Sequence, residues 1–325
     1  MTETADLRLR ATIEYYRPVT AAPKTVFVTG ASTGLGLALA LALEKTDYRL
    51  ILTARQSSLP RFQANGIREN DRVRLRALDV TQEEQRQAIV QEAERDWGGV
   101  DMLVNNAGIS YRAVVEHVTE EERLAQMDVN FRSPMELIRL VLPSMRAKLA
   151  GRIVTVSSVG GMMAMPTMAA YSASKFALEG AHESLWYEVR PWGIHVSLVQ
   201  PGFIDSDGFR KVRYTARSGR SEHEPADPYH EHYVNMAPFV ARLMRRSRST
   251  PESVARVVLR TMQMKRPPLR VPATLDARLF AALRRMLPRG IYHRLLYRAL
   301  PQVRSWGPSP ERVLSLPASK REDAD

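Results

Sequence analysis

The chain contains no cysteine among its 325 residues. This excludes disulfides, thiolate nucleophiles and cysteine-ligated zinc or iron–sulfur centres, and it fits a reducing compartment, so a cytoplasmic location is expected. Long apolar runs are also missing: the longest, Leu35 to Leu43, is about half of the ~18 residues a membrane-spanning helix needs. The amino terminus, MTETADLRLR, carries acids and no apolar stretch, so it does not read as a secretory signal. Internal repeats and low-complexity tracts are absent. His223, His230 and His232 stand among Glu222, Glu224 and Glu231, but their spacing has no helical or hairpin logic. They read as a solvated polar loop, and no metal is expected.

With 44% hydrophobic and 25% charged residues the chain is globular, large enough for one big core or two modest ones. The formal net charge of +12 is unevenly placed, because residues 206–325 hold 24 Lys and Arg against 11 Asp and Glu. An anionic partner would therefore meet the carboxy-terminal third, although solvated charge on helix faces explains the same numbers.

Residues 1–23 form an extension that ends in Pro18 and Pro23. The chain then alternates. Strands are expected at Thr25–Thr29, Arg49–Ala54, Val73–Leu78, Val100–Val104, Arg152–Ser157 and His195–Gln200. Helices are expected at Leu35–Leu43, at Thr81–Trp97 with Thr81 as cap, within Thr119–Lys148, and around Tyr171–Arg190. Six strands separated by helices imply an α/β fold, a doubly wound parallel sheet with helices on both faces. Residues 205–250 lack clear periodicity until about Val234 and read as a mobile lid or an insertion. Helices are expected again at Pro251–Gln263, Leu275–Met286 and Ile291–Leu300. The expected division is 1–23, a catalytic domain over 24–265, and a basic helical extension and tail over 266–325.

Between the first strand and first helix lies Thr29-Gly30-Ala31-Ser32-Thr33-Gly34-Leu35-Gly36. Gly30 permits a sharp turn, Gly34 lets backbone approach a pyrophosphate, and Gly36 allows close helix–strand packing; the helix N-terminus offers free N–H groups. Further along stand Asn105-Asn106-Ala107-Gly108, Ser158, Tyr171-Ser-Ala-Ser-Lys175 and Pro201-Gly202. Tyr171 and Lys175, four apart on a helix, project from one face.

These five motifs, in this order and strand context, resemble the short-chain dehydrogenase/reductase family over about residues 24–205, with hydroxysteroid and retinol dehydrogenases the most similar members. The resemblance implies a Rossmann-type fold and hydride exchange between a nicotinamide cofactor and a carbonyl or alcohol. Gly30, Ser32, Thr33, Gly34, Leu35 and Gly36 would cradle the phosphates, Asp79 and Val80 would contact adenine, and Asn106 would close the adenosine side. Tyr171 would move the proton and Lys175 would hold the nicotinamide ribose. Ser158 would hydrogen-bond the substrate oxygen, and Asn130 would hold a water leading from the lysine to solvent. Pro201 and Gly202 would approach the nicotinamide, with Ser206 reaching its carboxamide. A tyrosine titrating near ~10 is too weak an acid for proton exchange at neutral pH, so a nearby ammonium together with an oxidised nicotinamide ring is expected to stabilise its phenolate. At the end of the second strand stands Arg55 rather than an acid, which favours NADP(H) over NAD(H) through its 2′-phosphate.

Met162, Met163, Met165 and Met168 offer a soft apolar surface that either fills core or lines a cleft for a lipophilic substrate such as a steroid, retinoid or fatty-chain ketone. Sixteen basic residues between Arg242 and Arg304 face only Glu252 and Asp276. This suggests peripheral contact with an anionic membrane, with a lid or oligomer contact as the competing reading. Nucleic-acid binding is not expected, since no recognition module accompanies the charge. The family resemblance implies a homo-dimer or tetramer, and a non-catalytic NADP-binding sensor is the alternative function.

Overall fold

The first strand, β1 (Thr25–Val28), sends Val26 and Val28 into one apolar layer and Phe27 into another. Such strict alternation, with both faces apolar, requires a sheet covered on both sides. A computed structural model, describing residues 22–205 and 212–307, shows that sheet. Seven parallel strands run in the order β3-β2-β1-β4-β6-β7-β9, with β2 Arg49–Ala54, β3 Val73–Ala77, β4 Met102–Asn105, β6 Gly151–Val156, β7 Ile194–Gln200 and β9 Arg270–Pro272. The doubly wound expectation is met, with one strand more than the six read from sequence. β9 escaped notice because three residues at an edge carry no periodicity; Leu198, Val199 and Gln200 pair with Arg270, Val271 and Pro272.

Helices α1 (Gly34–Glu44) and α9 (Pro251–Gln263) cover one face, burying Leu39, Leu43, Val254, Val258 and Met262. α3 (Glu83–Trp97), α5 (Ser133–Ala147) and α6 (Ala169–Val189) cover the other, and a short α2 (Pro60–Ala64) plugs Phe62 into the first layer. Local chemistry sets the helix ends. Thr119 opens α4 (Glu120–Met127) in a reciprocal capping box with Glu122, and Thr250 opens α9 in one with Ser253. The cap expected at Thr81 is not made: its hydroxyl donates to Asp79 Oδ1 at 2.7 Å, and α3 begins two residues later with Glu83 and Glu84 against its dipole. Between α4 and α5 the chain takes one π-helical turn, Asp128–Arg132.

The stretch expected as an aperiodic lid is largely helical. A two-residue strand pair joins β5 (Tyr111–Arg112) to β8 (Arg213–Tyr214), followed by α7 (Ala216–Ser221) and α8 (His230–Arg246). α8 begins at His230, four residues before the first aliphatic signal, because its buried stripe of Tyr233, Met236, Val240 and Met244 starts with a tyrosine among polar neighbours. Tyr233 OH accepts from Val114 N at 3.0 Å and lies 2.9 Å from His117 Nδ1, while Thr215 Oγ1 donates to His117 O at 2.7 Å. Those bonds tie the segment to the loop after β5. Helices α10 (Leu275–Met286) and α11 (Arg289–Arg298) follow, packing Ala277, Phe280 and Tyr292 on Val159, Met162 and Met163, and a short 3-10 turn, Val303–Ser305, comes after them.

Candidate active site

At the carboxyl ends of the strands a cavity of about 540 Å³ runs from the end of β2 to the turn after β7. This is where an open parallel sheet places its ligands. Its lining includes Gly30, Ser32, Thr33, Gly34, Leu35, Gly36, Arg55, Asp79, Val80, Asn106, Ser158, Tyr171, Lys175, Pro201 and Gly202, which sequence alone nominated. Asn130 lies behind that wall, and Ser206 falls outside the described residues.

The glycine loop is shaped for backbone approach. Gly34 has φ +51° with open space where a side chain would stand, and a Cβ on Gly36 would collide with the Gly30 carbonyl oxygen. Thr33, the N-cap of α1, makes no side-chain cap, so the first N–H groups of the helix remain available to a phosphate. Asn106 braces the loop from β4, its Nδ2 donating to Thr29 O and Gly30 O at 3.0 Å each. At the far end, Arg55 is joined by Arg61 from α2 and by Ser58. Neither arginine has an acidic partner among the described residues. Arg61 and Ser58 went unnoticed because α2 is only five residues long and carries no motif. Asp79 faces this end, although its Oδ1 is engaged by Thr81.

Tyr171 and Lys175 leave the first turns of α6 on one side. Lys175 Nζ donates to Val156 O at 2.9 Å and lies 6.0 Å from the Tyr171 ring centroid. Burial pushes the Tyr171 phenol upward, and the Ser158 hydroxyl, donating to the phenolate, opposes that. Burial likewise pulls the Lys175 ammonium down to about 8, with Glu179 opposing. Ser158 Oγ also accepts from Gly160 N at 3.0 Å, which fixes its rotamer at the end of β6. Asn130, in the π-turn, accepts from Ile109 N at 2.9 Å and donates to Ile109 O at 2.9 Å and Ser174 Oγ at 3.0 Å. Gly108 lies beside both groups: a Cβ there would stand 3.3 Å from Asn130 Oδ1 and 4.0 Å from Lys175 Nζ.

Beneath these groups lies a buried support that the motifs did not reveal. Glu179, one turn beyond Lys175, accepts from Gln200 Nε2 and from Arg270 Nε, each at 2.9 Å. The spacing Tyr171, Lys175, Glu179, Glu183 was legible as a ladder on one helix face, but Arg270 reaches it only because β9 joins the sheet. Asn105, Thr155 and the fully buried His182 form a second chain, with Thr155 Oγ1 2.7 Å from His182 Nε2.

Next to the turn after β7 lies a second cavity of about 720 Å³, lined mainly by apolar groups from Met163, Met165, Phe203, Phe239, Leu279 and Leu296. Within the methionine segment Met162 is core and Met165 lines this cavity. Among the described residues no group of three or more His, Asp or Glu could hold a metal, and no helix is long and apolar enough to cross a membrane. His230 Nδ1 lies 3.0 Å from Ser221 O, and the His232 ring packs on Trp306 at 4.6 Å.

A dinucleotide-binding α/β oxidoreductase is the class this sheet and cleft define. The chain belongs to the short-chain dehydrogenase/reductase family: the family pattern described as short chain dehydrogenase matches residues 24–217. It is 33% identical over 269 residues to a 3-ketodihydrosphingosine reductase of Bacteroides thetaiotaomicron, spanning 82% of this chain and 94% of that protein. Identity to human retinol dehydrogenase 8 is 32% over 257 residues, spanning 77% and 81%. A solved short-chain dehydrogenase from Streptomyces avermitilis is similar with a TM-score of 0.70 and 30% identity, covering 85% of this chain and 95% of that one. The protein is therefore an oxidoreductase acting on CH–OH groups with a nicotinamide dinucleotide. The cleft fits that cofactor: the cradle is open at Gly34, α1 presents uncapped N–H groups, and the buried Ser157 Oγ on the cavity wall has no hydrogen-bond partner among the described residues.

Proposed function

We propose that the protein interconverts a carbonyl and an alcohol on a lipophilic substrate, using NADP(H). The observation that carries the reaction is the convergence of the Tyr171 phenol, the Lys175 ammonium and the Ser158 hydroxyl on one wall of the cleft. A bound nicotinamide dinucleotide supplies or takes up the hydride. Tyr171 holds the proton at its phenolic oxygen and passes it to the substrate oxygen in reduction or takes it in oxidation. Ser158 orients that oxygen, and Lys175, anchored on Val156 O, holds the ribose end and adds positive charge beside the phenol.

Arg55 and Arg61 support NADP(H), because among the described residues neither guanidinium has an acidic partner and no acid other than Asp79 lines that end, which suits a 2′-phosphate. The apolar cavity, the relatives named for a sphingoid ketone and for retinol, and the methionine lining support a lipophilic substrate. The surface of α10 and α11 supports peripheral contact with anionic lipid: Leu275 and Met286 are 74% and 71% exposed, and Arg278, Arg285, Arg289 and Arg294 are exposed on the same two helices.

The test is oxidation of NADPH and NADH with ketones and aldehydes of increasing chain length, beside Tyr171→Phe and a double Arg55→Ala, Arg61→Ala variant. Turnover should favour NADPH, rise with chain length, fall ~10²–10⁴-fold in Tyr171→Phe and lose its coenzyme preference in the double variant. Dinucleotide binding without turnover on any substrate in either direction would leave the protein a sensor and refute the enzymatic reading.

A further inference from the structure

The wall between the cofactor cleft and the apolar cavity is a single turn of chain. Gly202 and Ile204 line the cleft, while Phe203 between them lines the cavity. β7 ends at Gln200, so the N–H groups of this turn have no strand partner and are satisfied from outside the Rossmann motifs altogether. Gly202 N donates to Thr274 Oγ1 at 2.9 Å, and Phe203 N donates to Asp276 Oδ2 at 2.8 Å. The next link, Ala273 N to Gln200 O at 2.9 Å, sets the register between the two segments. Thr274 is the N-cap of α10, also accepting from Ala277 N at 3.3 Å, and Asp276 lies in its first turn. A Cβ at position 202 would overlap the Asp276 carboxylate, so glycine is required here by that contact rather than by its φ. Asp276 is also the one acid in a wall that is mainly apolar but includes Arg246, Arg248 and His293 among the described residues. A carboxylate there is unfavourable unless it is hydrogen-bonded, and its bond to Phe203 N is the partner the structure provides.

We propose that Thr274 and Asp276 are positioning residues for the nicotinamide end of the cleft, and that they link occupation of the apolar cavity to dinucleotide binding. This rests on the reading that the cleft takes a nicotinamide dinucleotide and the cavity an alkyl chain. A chain packed on Phe203 and along α10 shields the Asp276 bond from water and restricts the turn, so the dinucleotide meets a wall already in place. By linkage the dinucleotide tightens the chain by the same factor. The residue that forms the turn and the residues that hold it are more than seventy positions apart, and the cavity exists only where α10 and α11 lie against them.

The experiment is fluorescence titration of the full chain with NADPH and NADH, with and without 1-decanol, which the reduced cofactor cannot turn over. Decanol should lower the dinucleotide Kd about fivefold or more. Asp276→Ala and Thr274→Val should each raise Kd about tenfold and abolish the decanol effect. Asp276→Asn and Thr274→Ser, which keep an acceptor oxygen, should restore both. Rescue by these conservative variants, together with unchanged melting temperatures, separates positioning from loss of fold. Wild-type Kd and a wild-type decanol effect in Asp276→Ala and Thr274→Val would overturn the proposal, as would Asp276→Asn behaving like Asp276→Ala or a decanol effect missing from the wild type. Failure of the wild type to bind either dinucleotide would instead sink the cofactor reading beneath it.

Discussion

His182 gives the sharpest physical test of the packing beneath the active site. Its imidazole is fully buried, with Nδ1 2.9 Å from Leu178 O and Nε2 2.7 Å from Thr155 Oγ1. A carbonyl can only accept, so Nδ1 carries the proton, and Nε2 accepts from Thr155; the neutral ring satisfies both bonds. Protonation would bury a charge and remove the acceptor, and burial accordingly pulls the group from 6.5 down to about 4, with the Lys175 charge adding to the shift. The unfolded chain binds a proton on this ring from about pH 6.5 downward while the folded chain does not, so stability is full above that pH and is lost as pH falls toward 4. Between pH 7.5 and pH 5 the loss from this one residue is about 2 kcal/mol. Burial also lowers His117, His195 and His232, so they push in the same direction, but they remain in a His182→Gln variant. Urea denaturation of both proteins at several pH values isolates the difference. The variant should lose about 1–2 kcal/mol at pH 7.5 from imperfect hydrogen bonding, yet close the gap or overtake by pH 5. Parallel acid limbs in the two proteins would refute the assignment.

Two further outcomes follow from the site. Gly36→Ala should destabilise by about 1–3 kcal/mol and weaken dinucleotide binding at least tenfold, because the new methyl collides with the Gly30 carbonyl; Gly180→Ala, in open space on α6, should not. Equal melting curves and equal binding for the two variants would refute that packing argument. With Lys175 held at about 8, its ammonium is lost as pH rises through that value, so kcat/KM should decline above about pH 8. The unfolded chain keeps that proton up to about 10.5, so the same shift makes folding more favourable between pH 8 and 10.5. A rate profile flat to pH 9.5 would contradict it.

The sequence by itself determined whatever depends on neighbours within a few residues or on one helix period. Gly30, Gly34 and Gly36 are legible because a tight turn into a helix needs them at that spacing. Tyr171 and Lys175 are legible because positions four apart share a helix face. The alternation of strands with helices gave the parallel sheet, because parallel neighbours need a crossover between them. Arg55 stood out because the end of the second strand is a fixed address in this fold. Even the end of a helix could mislead, as Thr81 did when Asp79 competed for its hydroxyl.

What only the tertiary structure decided are the contacts between distant segments with no local pattern. Arg61 adds a second cation to the Arg55 end because α2 folds back over β2. Arg270 meets Glu179 because a three-residue edge strand pairs with β7. Thr274 and Asp276 hold the Gly202–Phe203 turn, and the apolar cavity opens between the methionine segment, α8, α10 and α11. Local sequence fixes backbone conformation and which face is apolar. Which buried N–H finds which distant oxygen is decided when the elements pack, because an unpaired polar group is costly only once water has been excluded.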